Sequence, residues 1–415
     1  MASSNMFTDD ILLEIFVYLP LNSIYKFKCL SKVWSFNLSN PNFIIKWFRI
    51  NNRSLPLIQY YAITPPQDSA EKQNPLRFRK AYNELHTEFM SRNEYLFSFK
   101  FLVNQKPFQG AEVYMLGTSN GLVLFVSIHH HSQVTGTDIH QRYYVCNPLT
   151  QKWVSLPSPP GSPVSGFDVS GIFCEDSTSF ASCYKVVRIP RIYSPSKQSN
   201  VDIFCSDLGV WESFQVYCDK IVVGRICGWC NFNKVVIIDG VLFWLEGWDT
   251  MLIYNLNQNN GSDGHRCTLI NLPAAADDDD YNSYDTILGE SEGWVCYAKT
   301  RRTGRELTVS VWVLDEVNWK ILHNDVSVNN ILAEMHSQIR EDAPFEVLGF
   351  SPVDRNVILL SSKNWVREFN IETRSFADLC LDNRHVYHAG VTFLPFVLQP
   401  MPTVLPPPSW INTRD

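Results

Sequence analysis

A unit of strand, polar turn and aromatic-bearing return strand recurs at near-constant spacing along most of this 415-residue chain, and few architectures accept such a repeat. The segments VCNPLTQKW, IFCSDLGVW, WVLDEVNW and EFNIETRSF end at Trp153, Trp211, Trp319 and Phe376. Successive aromatics lie 58, 108 and 57 residues apart, and 108 is two periods of 54, so a unit is due between the second and third. The stretch LIYNLNQNNGSDGHRCTLINL, Leu252 to Leu272, has that layout with an expanded turn. A second series precedes each of these by one strand: GLVLF from Gly121, YKVVRI from Tyr184, GVLFWL from Gly240, GWVCYA from Gly293 and NVILL from Asn356. Five units of roughly 55 residues, made of short antiparallel strands, predict an all-β propeller in which radial closure leaves few exposed edges.

Such an array must close. EYLFSFKF from Glu94 and HVYHAGVTFLPF from His385 each supply one or two strands without a complete unit, so a closing blade built from both is expected. Six blades follow, with five and seven as alternatives. The expected plan is a helical segment over 1–50, a connector over 51–90, the propeller over 91–400 and a Pro-rich tail over 401–415. In the connector, Asn74 and Pro75 are expected to open a helix with Tyr82, Leu85 and Phe89 on one face.

Between Phe7 and Phe48 the texture is helical. Ile11, Leu12, Ile15, Phe16 and Leu19 form an amphipathic stripe, with Thr8 placed to cap it, Asp9 and Asp10 near its positive end, and Pro20 to stop it. Asn22 is expected to cap a second helix through Ile24, Phe27 and Leu30, Ser31 a third through Val33 and Trp34, and Asn40 with Pro41 a fourth through Phe43, Ile44 and Trp47. About fifty residues cannot bury so much apolar surface alone, so part of it should face a partner.

In register along this stretch stand Asp10, Leu12, Leu13, Glu14, Ile15, Leu19, Pro20, Ser23, Ile24, Lys26, Phe27, Lys28, Cys29, Ser31, Lys32, Trp34, Pro41 and Phe43. The stretch resembles the F-box. It departs from the family in opening with Phe7-Thr8 instead of Leu-Pro, which removes a proline expected to touch the adaptor. The long region resembles the kelch-like F-box-associated domain of plant-type F-box proteins through Ser119-Asn120-Gly121, Asn147-Pro148, Leu156-Pro157, Tyr184 to Val187, Asp239-Gly240, Trp244, Leu272-Pro273, Leu288 to Ser291, Trp312 to Leu314 and Leu348 to Phe350.

The resemblance implies a substrate-recognition subunit of a Skp–cullin–F-box ubiquitin ligase, with no catalytic residue and no cofactor of its own. Phe7, Ile11, Leu12, Ile15, Phe16, Leu19, Pro20, Ile24, Phe27, Leu30, Val33 and Trp34 are then the candidates for binding the Skp-type adaptor, which links to a cullin. A target protein would meet the loops between the two strand series: Ser127 to Gln141, Pro190 to Asn200, Glu246 to Thr250, Lys299 to Glu306 and Ser361 to Trp365. Their anchors are His129, Arg191, Tyr193, Trp248, Arg301, Arg302 and Trp365, since aromatic and Arg side chains dominate interface energetics. A non-degradative interaction scaffold and a propeller enzyme are the competing classes.

Other chemistry finds little support. A net charge of −7 argues against nucleic acid as the main ligand. No run of eighteen apolar residues suggests a membrane span and no secretory leader is visible, so a cytoplasmic or nuclear setting is expected. The eleven cysteines read as reduced thiols there. Cys227-Gly-Trp-Cys230 has redox or zinc spacing but no second pair, and it reads as two structural cysteines. His129 to His131 read as a flexible surface loop, and Asp277 to Asp280 as a solvated connection without calcium-loop spacing.

Overall fold

The computed structural model describes residues 9–38, 40, 43, 46–47, 50, 57–63, 78–83, 99–103, 108, 112–133, 136–148, 151–161, 168–174, 183–190, 194–222, 235–246, 249–256, 265–273, 286–303, 306–329, 345–362, 365–381, 392–398 and 405. Three short helices come first: α1 (Asp9–Phe16), α2 (Leu21–Lys28) and α3 (Lys32–Leu38). Ser31 caps α3 as its sequence suggests, its hydroxyl accepting the Trp34 amide at 3.1 Å. Asn22 does not cap α2. The helix begins at Leu21, directly after Pro20 at φ −58° and ψ 148°, because a proline fixes the chain in an extended entry that needs no side-chain cap. Thr8 lies outside the described residues.

The rest is sheet. β3 (Glu112–Ser119), β4 (Leu122–Gln133), β5 (Gly136–Asn147) and β6 (Lys152–Ser155) form one four-stranded antiparallel meander. β7 (Val169–Cys174), β8 (Tyr184–Ile189), β9 (Ser196–Cys205) and β10 (Val210–Val222) form a second. β11 (Val236–Ile238), β12 (Val241–Leu245), β13 (Thr250–Asn255) and β14 (His265–Asn271) form a third, joined to the second by a parallel contact between β10 and β14. β15 (Thr286–Ser291) through β16 (Trp294–Thr303), β17 (Glu306–Asp315) and β18 (Asn318–Ser327) make a fourth. β19 (Phe345–Ser351), β20 (Asp354–Ser362), β21 (Trp365–Asn370) and β22 (Ser375–Leu381) make a fifth.

Tight hairpins set the register of the inner strands. Asn120-Gly121, Asp239-Gly240 and Glu292-Gly293 all have positive φ at both positions, the two-residue turn whose twist matches that of paired strands. The first strands of the sheets stand side by side in the order β3, β7, β11, β15, β19, and a last strand, β23 (Thr392–Leu398), lies between β19 and β3. Side chains seal these contacts. The Thr118 hydroxyl donates to the Pro395 carbonyl, the Cys174 amide to Ser119 Oγ at 3.0 Å, and the Ser291 hydroxyl to the Ser351 carbonyl.

Closure uses both ends of the chain, but its N-terminal strands come from an unexpected place. β1 (Leu57–Ile63) pairs with β23 from Leu57↔Leu398 to Ile63↔Thr392, and β2 (Phe78–Asn83) bridges β1 to β22. The helix expected from Asn74 through Tyr82 is therefore replaced by a strand over 78–83. Glu94 to Phe101 supplies no described strand; Lys100–Val103 is a short helix, α4. The run LIQYYAI carried the missed signal, being rich in the β-branched and aromatic residues that suit a pleated surface.

Neighbouring sheets mesh through small residues on the innermost strands. A Cβ at Gly117 would meet Ile172 at 3.6 Å, one at Gly171 would meet Ile237 at 3.2 Å, and one at Gly289 would meet Phe350 at 2.6 Å. Each glycine thus receives a large side chain from the next sheet. The repeat aromatics tie the outer edges, since the Trp211 indole donates to the Pro157 carbonyl at 2.8 Å and that of Trp319 to the Asn271 carbonyl at 3.1 Å. Gly289→Val should cost about 1–3 kcal/mol by overpacking, read as a lowered denaturation midpoint, and Phe350→Leu added to it should recover part of the loss. Unchanged stability of the single variant would show that this contact yields freely.

One cysteine reading changes. Cys146, Cys183 and Cys296 are buried free thiols, as expected, and burial pushes the Cys183 and Cys296 thiols up to about 12. Cys218 and Cys267, however, are joined as a disulfide. Their partnership comes from the parallel register Cys218↔Cys267, which no sequence spacing reveals. Cys227, Cys230 and Asp277 to Asp280 lie outside the described residues.

Candidate functional site

The twelve N-terminal candidates separate into two sets once the helices are packed. Phe16 and Ile24 are buried, and Leu12, Leu19, Phe27 and Trp34 are half-buried against them. Phe16 stacks on Phe27 at 4.5 Å between ring centroids and meets the edge of Trp34 at 5.1 Å. The Trp47 indole donates to the Leu19 carbonyl at 2.8 Å. These residues hold the helices together.

The other set faces solvent. Ile11, Ile15, Leu30 and Val33 are exposed, as is Pro20, whereas Phe7 lies outside the described residues. Two further exposed side chains belong with them: Tyr18, 71% exposed, and Phe36, 56% exposed. Sequence reasoning passed over both although the signal was present, since Ile11, Ile15 and Tyr18 follow helical spacing and Phe36 lies one turn beyond Val33. Six large apolar side chains between residues 11 and 36 are thus exposed, more than scattered single exposures would give. Lys28 belongs to the interior instead, and loss of hydration lowers its ammonium pKa to about 8.

The opposite side of the helices is not free. Phe16, Val17, Ile24, Leu38, Phe43 and Trp47 form one continuous apolar cluster with Phe99, Leu102, Phe108, Val113, Phe125 and Tyr144. The helical segment and the first sheet therefore share a core, which fixes the exposed patch relative to the propeller.

For the second candidate surface, the structure describes only part. The aligned strand series are the second and third strands of each sheet, so the loops between them are the hairpins β4–β5, β8–β9, β12–β13, β16–β17 and β20–β21. Antiparallel sheets of four strands return the chain to the same end, which brings equivalent hairpins to a common side. Two are shorter than expected. β4 and β5 pair out to Gln133↔Gly136, and β16 and β17 out to Thr303↔Glu306. His129, His130 and His131 consequently lie in a ladder opposite His140, Ile139 and Asp138, not in a flexible loop, because the strands continue through a polar sequence once paired.

Among the anchors, Arg302 is exposed and Arg301 half-buried at the end of β16, while Trp365 starts β21 opposite Ser362. Arg191, Tyr193 and Trp248 lie outside the described residues. The base of the β8–β9 hairpin is defined in detail. Arg188, wholly buried, donates from Nε to Asp168 at 2.7 Å and from Nη1 to Asp202 at 2.8 Å and to the Pro160 carbonyl at 2.9 Å. Ser213 donates to Asp202, and the Tyr143 hydroxyl lies 3.1 Å from Ser170 Oγ beside them. Burial opposes the guanidinium charge, but Asp168 and then Asp202 outweigh it and raise the Arg188 pKa. Burial likewise pushes the Tyr143 hydroxyl up, so it stays protonated. The arrangement is a structural anchor under a loop.

Comparison with known proteins accords with this geometry. The family model described as "F-box protein At3g26010-like, beta-propeller" matches residues 93–392. A putative F-box/kelch-repeat protein of Arabidopsis thaliana, At4g22430, is 23% identical over 92% of this chain and 83% of its own length. The Arabidopsis F-box protein At5g07610 is 22% identical over 90% of this chain and 85% of its own. Another, the F-box/kelch-repeat protein At3g61590, is 25% identical over 59% of this chain and 52% of its own. With a repeat of antiparallel sheets closed by both chain ends and a family match across nearly all of it, this chain belongs to the plant-type F-box proteins that carry an At3g26010-like β-propeller.

Proposed function

We propose that the chain is the substrate receptor of a Skp–cullin–F-box ubiquitin ligase, with α1 to α3 docking on a Skp-type adaptor and a six-bladed propeller holding a target protein. The observation that carries this reading is the division of the N-terminal apolar residues into a buried set and an exposed set of Ile11, Ile15, Tyr18, Leu30, Val33 and Phe36. The F-box/kelch-repeat names of the relatives support it. The sixth blade would be β1, β2 and β23, closing the ring between β19 and β3. Such a receptor needs no catalytic residue. It raises the effective concentration of target near a charged conjugating enzyme, making transfer nearly intramolecular. Adaptor, cullin and target would be met in the cytoplasm or nucleus.

The target would lie across the hairpins between second and third strands, anchored by His129, Arg191, Tyr193, Trp248, Arg301, Arg302 and Trp365. Affinity purification of the full chain should recover adaptor, cullin and target together. In the combined Trp248→Ala, Arg302→Ala and Trp365→Ala variant, target should be lost while adaptor and denaturation midpoint are retained, since anchor residues each contribute about 2 kcal/mol or more. Target retained by that variant would place its site elsewhere. Target recovered without adaptor or cullin by the intact chain would favour a scaffold, the class kept open by Phe7-Thr8.

A further inference from the structure

The second and third sheets are joined at their outer edges in a way that repeat packing does not require. Apart from the antiparallel β2–β22 pairing at the closure, adjacent sheets meet mainly through their innermost strands, but β10 and β14 pair in parallel through Val216↔His265, Tyr217↔Arg266 and Cys218↔Cys267. Three residue pairs make a short ladder. The disulfide stands at its end, with Cα atoms 5.2 Å apart and a sequence separation of 49.

On its other side, β10 is loosely held at the same point. Its pairing with β9 jumps from Tyr217↔Gln198 to Val222↔Ser196, so Cys218 to Ile221 face Lys197 alone across an irregularity. Both cysteines are buried, yet Tyr217 and Ile221 beside them are exposed, so a small local opening would admit a solvent thiol or disulfide. Among the described residues, Cys29, Cys146, Cys174, Cys183, Cys205 and Cys296 form no disulfide. Cys218 and Cys267 are thus a matched pair at a weak seam.

We propose that Cys218 and Cys267 form a reversible oxidation site, closed by a low-molecular-weight disulfide of the glutathione type, that fastens the outer edges of the second and third sheets. One cysteine thiolate attacks a sulfur of glutathione disulfide, breaking its S–S bond and releasing one glutathione thiolate. The second cysteine then attacks the mixed disulfide and releases the other. The two cysteine protons end on the two glutathione thiols, so one disulfide is exchanged for another without further oxidant. Because these sheets carry the β8–β9 and β12–β13 hairpins, the redox state sets how firmly those hairpins are held relative to each other.

The test equilibrates the full chain in glutathione buffers from fully reduced to fully oxidised, with alkylation and peptide mass spectrometry to locate disulfides and amide hydrogen exchange to read the seam. Oxidation should produce the Cys218–Cys267 linked peptide and slow exchange over Val216 to Cys218 and His265 to Cys267 by roughly ten-fold or more, leaving β17 unchanged. Cys218→Ser should exchange at the reduced rate throughout the series, and if it fails to fold, the wild-type series alone decides. Equal exchange at both ends of the series, or glutathione persisting on either cysteine in place of the internal bond, would overturn the proposal.

Discussion

Combined Ile11→Ala, Ile15→Ala and Leu30→Ala should weaken adaptor binding by roughly a hundredfold or more while leaving the fold intact. Truncating an interface anchor typically costs about 1–2 kcal/mol, so three should remove about 3 kcal/mol or more, and 1.4 kcal/mol is a factor of ten. Their exposure in the isolated chain is why stability should hardly change, each surface truncation being worth within about 0.5 kcal/mol. Phe16→Ala is the contrast. Buried and stacked on Phe27, Phe16 belongs to the core shared with the propeller, and its removal should cost about 3–5 kcal/mol of folding stability. Titration calorimetry with purified adaptor, beside denaturant unfolding, separates the two effects. A triple variant that binds with unchanged affinity would move the docking surface off this face. Leu19 is a poorer probe, because it is half-buried in that core.

Arg188→Ala should cost roughly 3–5 kcal/mol, the usual consequence of removing one member of a buried ionic cluster. The loss would come from Asp168 and Asp202, left ionised without the guanidinium that bridges them at 2.7 and 2.8 Å. Pairing also explains the direction of recovery. In a background of Asp168→Asn and Asp202→Asn, Arg188→Met should regain much of the stability, since neutral groups of similar size carry no stranded charge. Chemical denaturation of the three proteins measures this directly. A loss under about 1 kcal/mol for Arg188→Ala would mean that water reaches the cluster and screens it. The β8–β9 hairpin above it should exchange faster in the single variant, because Arg188 on β8 also holds Asp202 on β9.

The amino-acid sequence by itself determined the repeat, its strand order and its hairpins, because these rest on local chemistry. Alternating β-branched and aromatic residues, and Asn-Gly or Asp-Gly where both turn positions need positive φ, act within a few residues of one another. The same locality made the helical stripe and the Ser31 cap legible. Relations between distant segments were decided only by tertiary structure. Whether β23 would pair with Leu57–Ile63 or with Glu94 to Phe101 depends on competition between strands of similar propensity, which the packed ring settles. The meeting of Cys218 with Cys267 follows from register between two sheets, and that of Arg188 with Asp202 from register between strands within the second. Exposure was the last such property. Periodicity placed Ile15 and Phe16 together on an apolar stripe, and only packing against the propeller core buried Phe16 while leaving Ile15 in solvent, free to meet a partner.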